Sequence, residues 1–550
     1  MLCSVCELLI HGGTSVPYNP PLIPRAKTRG RLAVGALVTA LFGQLLAGTA
    51  AAAPEADRAP SAGRIAWKPC ESAPEQGKFE CATIKVPVDW KRPHGGTVEL
   101  ALARHLATDP ARRIGSLLVN PGGPGGSGVD FALAAPNAFS PELLARFDIV
   151  GFDPRGVGRS TPVKCDEDRV KAQGELLYPD SARSFDALRA ANRALGKSCR
   201  DLTGPLADHM DTGSVVRDMD AIRAGLGEKR ISYYGVSYGT AIGQQYAERY
   251  PHRIRAMTLD SNMDHSRSNW AFQKTETDAV ESSYGQFADW CARTTSCALH
   301  GRDARALFDS LHKRAEAGEL VLPGDPPRKV TPQDLQDVAL SNMYDPAGWF
   351  DFAQALAELD ATDPAAAKSL RRFGEPTEFP FFPVMCQDYD FTVPSYRTLA
   401  RYERELSRRA PVTRFSTLGW TVQTGCQDWP SEVSNPQRRL HVDGTPPILM
   451  TNSRFDPATP YSWGSNAARQ IGREAVLLTY DGVGHGDYWL SPCARTAIDT
   501  YLTTLKTPAK GTHCPAVWPT APSAQRQSPS GDLVNPLPDL VGTGAYRRTA

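Results

Sequence analysis

Ile231-Ser232-Tyr233-Tyr234-Gly235-Val236-Ser237-Tyr238-Gly239-Thr240-Ala241-Ile242-Gly243 carries an apolar, aromatic segment straight into Gly-x-Ser-x-Gly, and residues 241–249 then read as a helix. That strand–turn–helix context is what a nucleophile elbow needs. So sharp a turn leaves no room for side chains beside the serine, which accounts for glycine two places to either side. The helix N-terminus behind Ser237 favours negative charge developing on a bound carbonyl. Gly-x-Ser-x-Gly also occurs in structural Gly-rich turns, so the rest of the chain must supply an acid, a histidine and an oxyanion site.

Outward from this stretch, strands and helices alternate. Residues 81–88 and 97–105 read as strands, and 113–120 is a buried strand ended by Pro121-Gly122-Gly123-Pro124-Gly125-Gly126-Ser127-Gly128. Residues 147–152 form the next strand, broken by Asp153-Pro154-Arg155-Gly156. A helix over 214–226 precedes the serine, and 257–260 is one more short strand. The alternation returns with strands at 448–451 and 475–480 and a closing helix over 493–505. The pattern is that of an α/β fold with a mostly parallel sheet flanked by helices.

Between Asp264 and His441 the texture changes. Amphipathic helices are expected at 270–300, 303–317, 332–343, 347–359 and 396–409, with Pro-rich connections and a strand-like run only at 379–382. We read 264–441 as a helical lid insertion over the ligand-binding edge of the sheet. The core then comprises 53–263 and 442–518. The last segment, 519–550, is rich in Ser, Pro, Gly and Gln and is expected to be disordered.

At 550 residues the chain exceeds one ordinary core, which agrees with a core plus a large insertion. Its 61 Lys+Arg against 60 Asp+Glu give a net charge of +1, which excludes an electrostatic case for nucleic acid or an anionic membrane as partner. Arg25, Lys27, Arg29 and Arg31 precede an apolar stretch from Leu32 to Ala47, followed by small residues to Ala53. That order reads as a secretory signal with an extended N-terminus, covering 1–52 and removed on export. The apolar run is short for a membrane span and is interrupted by Gly35, Gly43 and Gln44, so no stable membrane association is expected after cleavage.

Cysteine usage points the same way. Beyond Cys3 and Cys6, ten remain: Cys70, Cys81, Cys165, Cys199, Cys291, Cys297, Cys386, Cys426, Cys493 and Cys514. An even number in an exported chain reads as disulfides, with pairing in chain order the simplest proposal although spacing does not fix it. Cys291/Cys297 and His513/Cys514 lack the spacing of a zinc site, and neither metal nor organic cofactor is expected.

A serine hydroxyl needs a base, and the base an orienting acid. In alpha/beta-hydrolases these come in the order Ser, Asp, His on loops after later strands. Asp456 follows the 448–451 strand in Arg454-Phe455-Asp456-Pro457-Ala458-Thr459-Pro460; its plainer reading is a cap before Pro457. Asp443 precedes that strand and Asp481 belongs to the next unit. His485, in Asp481-Gly482-Val483-Gly484-His485-Gly486, follows the last strand, where His441 and His513 compete less well. The oxyanion requires two backbone N–H groups. Tyr238, directly after the nucleophile, supplies one; Gly123, with Gly122 as runner-up, supplies the other. A phosphate loop is the rival for this run, but Val129-Asp130 stand where Lys-Ser/Thr would be needed.

These motifs carry a resemblance. Asn-Pro-Gly-Gly-Pro-Gly-Gly-Ser-Gly (120–128), Phe-Asp-Pro-Arg-Gly-Val-Gly-Arg-Ser (152–160), Gly-Val-Ser-Tyr-Gly (235–239) and Gly-Val-Gly-His-Gly (482–486) resemble the secreted bacterial tripeptidyl aminopeptidases. These are alpha/beta-hydrolase serine exopeptidases related to proline iminopeptidases. The likeness runs from Trp67 to Cys514 and takes in Cys386-Gln387-Asp388 and the Cys493/Cys514 pair. It implies release of short peptides, usually tripeptides, from substrates with a free N-terminus through an acyl-enzyme. Relatives that act as esterases or amidases on non-peptide compounds supply the alternative, and a non-catalytic binding module is a remoter one. Recognition of an α-ammonium calls for acidic groups in a partly desolvated pocket. Glu276, Asp278, Glu281, Asp388 and Asp390 are available, and Asp388 is the residue chosen for substrate binding.

Overall fold

The computed structural model describes residues 63–71, 78–322, 327–361 and 381–520, together with Leu533 and residues 535–537. The expected signal segment and nearly all of the tail lie outside the described residues. Ten strands make one sheet: β1 (Lys68–Pro69), β2 (Phe79–Pro87), β3 (Thr97–His105), β4 (Gly115–Asn120), β5 (Phe147–Phe152), β6 (Ile231–Val236), β7 (Ile254–Asp260), β8 (Ile448–Phe455), β9 (Ala475–Val483) and β10 (His513–Cys514). Their spatial order is β1-β2-β3-β5-β4-β6-β7-β8-β9-β10. β1, β2 and β3 run antiparallel to their neighbours, and from β5 to β10 every pairing is parallel. This is the alpha/beta-hydrolase architecture expected from the sequence.

Every residue of β4, β5 and β6 is buried, as in a parallel sheet covered on both faces. Side-chain alternation sorts the two faces. Leu118 and Tyr233 pack with Val215, Met219 and Ile222 of α1 (Thr212–Gly225) and with Ile242 and Tyr246 of α2 (Tyr238–Arg249). Leu117, Val119 and Tyr234 turn the other way, towards Phe131, Leu143, Ile498 and Tyr501. All the loops expected to carry chemistry leave the carboxyl ends of parallel strands, where ligands bind in open α/β sheets.

β7 and β8 are adjacent, yet the chain between them runs through helices at 269–293, 304–316, 332–343, 349–360, 381–388, 396–409 and 417–425. We label the first α3 (Asn269–Arg293) and the last α4 (Thr417–Gly425). The strand-like run at 379–382 needs correction: Phe381–Asp388 is a helix, and 379–380 lie outside the described residues. A short apolar run does not discriminate strand from buried helix, and Pro383 falls in the first turn, where its missing N–H costs nothing. An unanticipated helix, Ala182–Thr203, packs against these helices. Its Asn192 Nδ2 donates to Thr424 O (2.9 Å) and Gln427 O (2.8 Å), and its Phe185 and Leu188 share a cluster with Phe382 and Trp420.

Five disulfides pair the ten cysteines in chain order: Cys70–Cys81, Cys165–Cys199, Cys291–Cys297, Cys386–Cys426 and Cys493–Cys514. Cys386–Cys426 joins the ends of two helices in 264–441, and Cys493–Cys514 ties the closing helix to the edge strand. Among the described residues no helix is long and apolar enough to cross a membrane.

A fully buried ion pair anchors the loop after β5. Arg155 donates to both carboxylate oxygens of Asp218 (2.6 and 2.7 Å) and to the carbonyls of Pro87, Val88 and His209. Removing one partner strands a buried charge. Arg155→Leu should therefore lower stability by about 3–5 kcal/mol, read as a fall in the urea midpoint. Arg155→Leu/Asp218→Leu should recover part of that loss, because the uncompensated carboxylate is gone.

Candidate active site

Ser237 sits between β6 and α2 with φ 56° and ψ −126°, a conformation non-glycine residues rarely adopt. Backbone crowding enforces it. A Cβ on Gly235 would lie 2.6 Å from Gly239 O, and one on Gly239 would lie 2.7 Å from Asn120 O. Ser237 N–H donates to Asp260 O (3.0 Å), and Ser237 O accepts from the N–H and hydroxyl of Thr240 (2.9 and 2.6 Å). The serine is half-buried at the start of a helix whose N-terminus carries partial positive charge.

The loop after β4 presses on the elbow. A Cβ on Gly122 would meet Val236 O at 2.5 Å, Tyr238 N at 2.7 Å and Ser237 Cβ at 2.9 Å. Gly122 N–H donates to Asn120 Oδ1 (3.0 Å). Asp153 braces this loop from below. Its carboxylate accepts from Ser127 Oγ (2.6 Å), Val129 N–H (3.0 Å) and Arg159 N–H (2.8 Å).

Asp456 and His485 meet in the interior. His485 Nδ1 lies 3.0 Å from both carboxylate oxygens of Asp456, and the two side chains are 1% and 0% exposed. Asp456 also accepts from Ala458 N–H (2.9 Å), Thr459 N–H (2.8 Å) and Thr459 Oγ1 (2.8 Å), so it caps its own turn while facing the imidazole. With Asp456 as its acceptor, the proton of His485 sits on Nδ1, which leaves Nε2 as acceptor. Among the described residues no hydrogen bond joins Ser237 Oγ to the imidazole; such bonds commonly tighten only when substrate arrives.

Three partners of the histidine turn carried no sequence motif. His485 N–H donates to Tyr344 O (2.9 Å), and the Tyr344 ring stands 5.1 Å from the imidazole. Gly486 N–H donates to Ser261 Oγ (2.8 Å). Asp260, at the end of β7, accepts from the N–H groups of Asp487 (2.9 Å) and Tyr488 (3.0 Å), from Tyr234 and from Thr451. Burial raises the Asp260 carboxyl, and burial together with the Asp260 charge pushes Asp487 well above the ordinary range.

The competing residues lie elsewhere. His513 pairs with Asp481 at the surface (2.9 Å), and Asp443 pairs with Arg473 there. Asp388 is not available to substrate, contrary to expectation. It is fully buried, and its carboxylate accepts from Thr212 N–H (3.0 Å), Thr212 Oγ1 (2.6 Å), Asn435 Nδ2 (2.5 Å) and the Tyr238 hydroxyl. Burial, then the Asp211 charge, raises it to about 7. It supports the residue after Ser237 rather than opening to the site.

Residues 411–514, which span both Asp456 and His485, match the family model described as TAP-like protein. Over 484 residues the chain is 33% identical to a tripeptidyl aminopeptidase of Streptomyces lividans, with 84% of this chain and 88% of that one covered. The chain belongs to the tripeptidyl aminopeptidase family. It is also 30% identical over 481 residues to the serine protease Hip1 of Mycobacterium tuberculosis, covering 82% and 91%. A carboxylesterase B of the same organism is 30% identical over 483 residues, covering 81% and 91%. As a member of the tripeptidyl aminopeptidase family the protein is a serine hydrolase of the α/β-hydrolase fold.

The approach of Gly122 to the elbow is directly testable. Gly122→Ala places a methyl group against three backbone or Cβ atoms around Ser237, at a φ of +91°. A displacement near 1 Å at a reacting group costs about 100-fold. We expect kcat to fall by at least that factor, with the circular dichroism spectrum preserved.

Proposed function

We propose that this protein is a secreted serine exopeptidase that releases short peptides, tripeptides above all, from the free N-termini of peptide substrates. One observation carries the mechanism: a buried Asp456–His485 pair at 3.0 Å on loops that follow β8 and β9, in a chain whose Ser237 is held in an elbow after β6. Its relatives named as peptidases support the substrate class.

In this reading Ser237 Oγ attacks the scissile carbonyl carbon while His485 Nε2 takes its proton. Asp456 holds the imidazole in the required tautomer and stabilises the imidazolium. The oxyanion accepts from the N–H groups of Tyr238 and Gly123. Collapse breaks the C–N bond, and His485 returns the proton to the leaving amine, which leaves a peptidyl ester on Ser237. Water then attacks that ester with His485 again as base, and Ser237 recovers its proton. The helices of 264–441 act as the lid that limits how much of the peptide's N-terminal side enters.

Export is part of the same proposal. The basic-then-apolar run before Ala53 and the five disulfides support it, since disulfides persist in oxidising compartments. The similarity to a carboxylesterase gives the esterase reading its own support.

A panel of chromogenic aminoacyl, dipeptidyl and tripeptidyl amides, N-acetylated tripeptidyl amides and simple esters separates the two. The free tripeptidyl amide should be turned over best. Equal turnover of blocked and free peptides, or activity confined to esters, overturns the exopeptidase reading. Ser237→Ala should lower kcat by about 10⁴-fold or more. Undiminished turnover in that variant overturns the mechanism.

A further inference from the structure

If the substrate carries a free N-terminus, its ammonium needs acceptors inside the site, and most acids of the 264–441 segment are already committed. Asp278 holds Arg409 at the surface (2.7 and 2.8 Å). Glu281 accepts from Thr413 N–H and Oγ1 (both 2.8 Å), and Asp390 is exposed and caps Thr392 N–H (2.9 Å). Asp388 is satisfied by Thr212, Asn435 and Tyr238. Glu276 is different. It is 1% exposed, and its Oε2 lacks a well-formed hydrogen bond, with only Ser416 and Gly419 N–H approaching the carboxylate.

Glu276 also lies on a helix, α3, packed against the loop that carries Asp456. Trp463 Nε1 donates to Thr275 Oγ1 (2.7 Å), Val280 packs with Ala458 and Tyr344, and Ser283 Oγ donates to Phe455 O (2.9 Å). The charge of Asp456 is felt at both Glu276 and Tyr344, whose ring faces His485.

A second acceptor waits beside the first. Gln273, one turn earlier on α3, donates from Nε2 to Gly419 O (2.8 Å), which assigns its amide and leaves Oε1 buried without a donor. Both oxygens converge on Gly419 of α4: a Cβ there would lie 2.2 Å from Glu276 Oε2 and 3.1 Å from Gln273 Oε1. The Tyr389 hydroxyl, within reach of the Glu276 charge, is likewise unpartnered. Buried acceptors left without donors cost stability, and an ammonium brings three donors and a positive charge. Burial holds the Glu276 carboxyl well above its ordinary range, with Ser416 and Gly419 N–H pulling the other way, and a cation beside it favours its charged form.

We propose that Glu276, with Gln273 beside it, receives the α-ammonium of the peptide substrate and thereby makes the enzyme require a free N-terminus. The assignment rests on the exopeptidase reading above. Glu276 is thus a specificity residue that contacts substrate remote from the scissile bond, held against Gly419 because only glycine leaves room for its carboxylate.

The test compares full-length wild type, Glu276→Gln and Gln273→Met on a free tripeptidyl chromogenic amide and its N-acetyl form. For wild type we expect kcat/KM to favour the free substrate by at least about 30-fold, as for a desolvated charge-assisted contact. In Glu276→Gln that ratio should collapse to within about threefold through a higher KM for the free substrate, with Glu276→Asp restoring part of it. Gln273→Met should lower the ratio by about fivefold and keeps the question open to decision should Glu276→Gln fail to fold. A wild-type preference retained in Glu276→Gln, or in Gln273→Met where that variant alone folds, overturns the assignment. So does an equal loss on both substrates, which marks a structural role. A wild type without preference overturns the exopeptidase reading and this inference together.

Discussion

The structure depends on one steric constraint: three stretches of backbone meet around Ser237 more closely than any side chain permits. A Cβ added to Gly122, Gly235 or Gly239 would lie only 2.5–2.7 Å from a backbone atom. Ser237 is consequently held at positive φ, a cost of order 1–3 kcal/mol that only an over-determined surrounding can sustain. The surrounding here is β4, β6 and β7, buried on both faces and joined by parallel pairing. The packing of the sheet stabilises a strained serine at its edge.

The histidine side of the site is built from polar rather than apolar burial. Asp260 gathers five donors, from Tyr234, the neighbouring Ser261, Thr451, Asp487 and Tyr488, and two of them are the backbone N–H groups immediately after Gly486. The turn that presents His485 is therefore fastened to the end of β7 through a buried carboxylate. Asp487 lies beside Asp260, whose charge adds to burial in disfavouring its ionised form. From above, Tyr344 O takes His485 N–H, which couples the imidazole to the helices of the 264–441 segment.

Legibility in the sequence followed the physical origin of each feature. The elbow could be read because its crowding demands glycine at fixed offsets, and glycine is visible in a sequence. Asp456 and His485 could be proposed because chain order and strand ends restrict where an acid and a base can stand. Asp260 and Thr459 could not, since what distinguishes them is which donors surround them after folding. The Phe381–Asp388 helix was obscured because a short apolar run has no period of its own. Asp388 was misjudged for a related reason. Its place beside Cys386 says that it is near the site, but only Thr212, Asn435 and Tyr238 show that its oxygens are already taken.

That correction changes what the 264–441 segment does. Through Asp388 it grips Tyr238, the residue whose N–H lies next to the nucleophile, and through Tyr344 it grips His485. Through Glu276 and Gln273 it presents acceptors that protein donors satisfy only in part. The first two contacts are closed, each oxygen matched by a donor, and closed contacts fix geometry. The third is open, and an open buried acceptor is stable only where some other molecule completes it or where packing elsewhere carries its cost. A segment of this kind cannot be a passive cover: substituting it would alter both the rigidity of the reacting groups and the identity of what they act on.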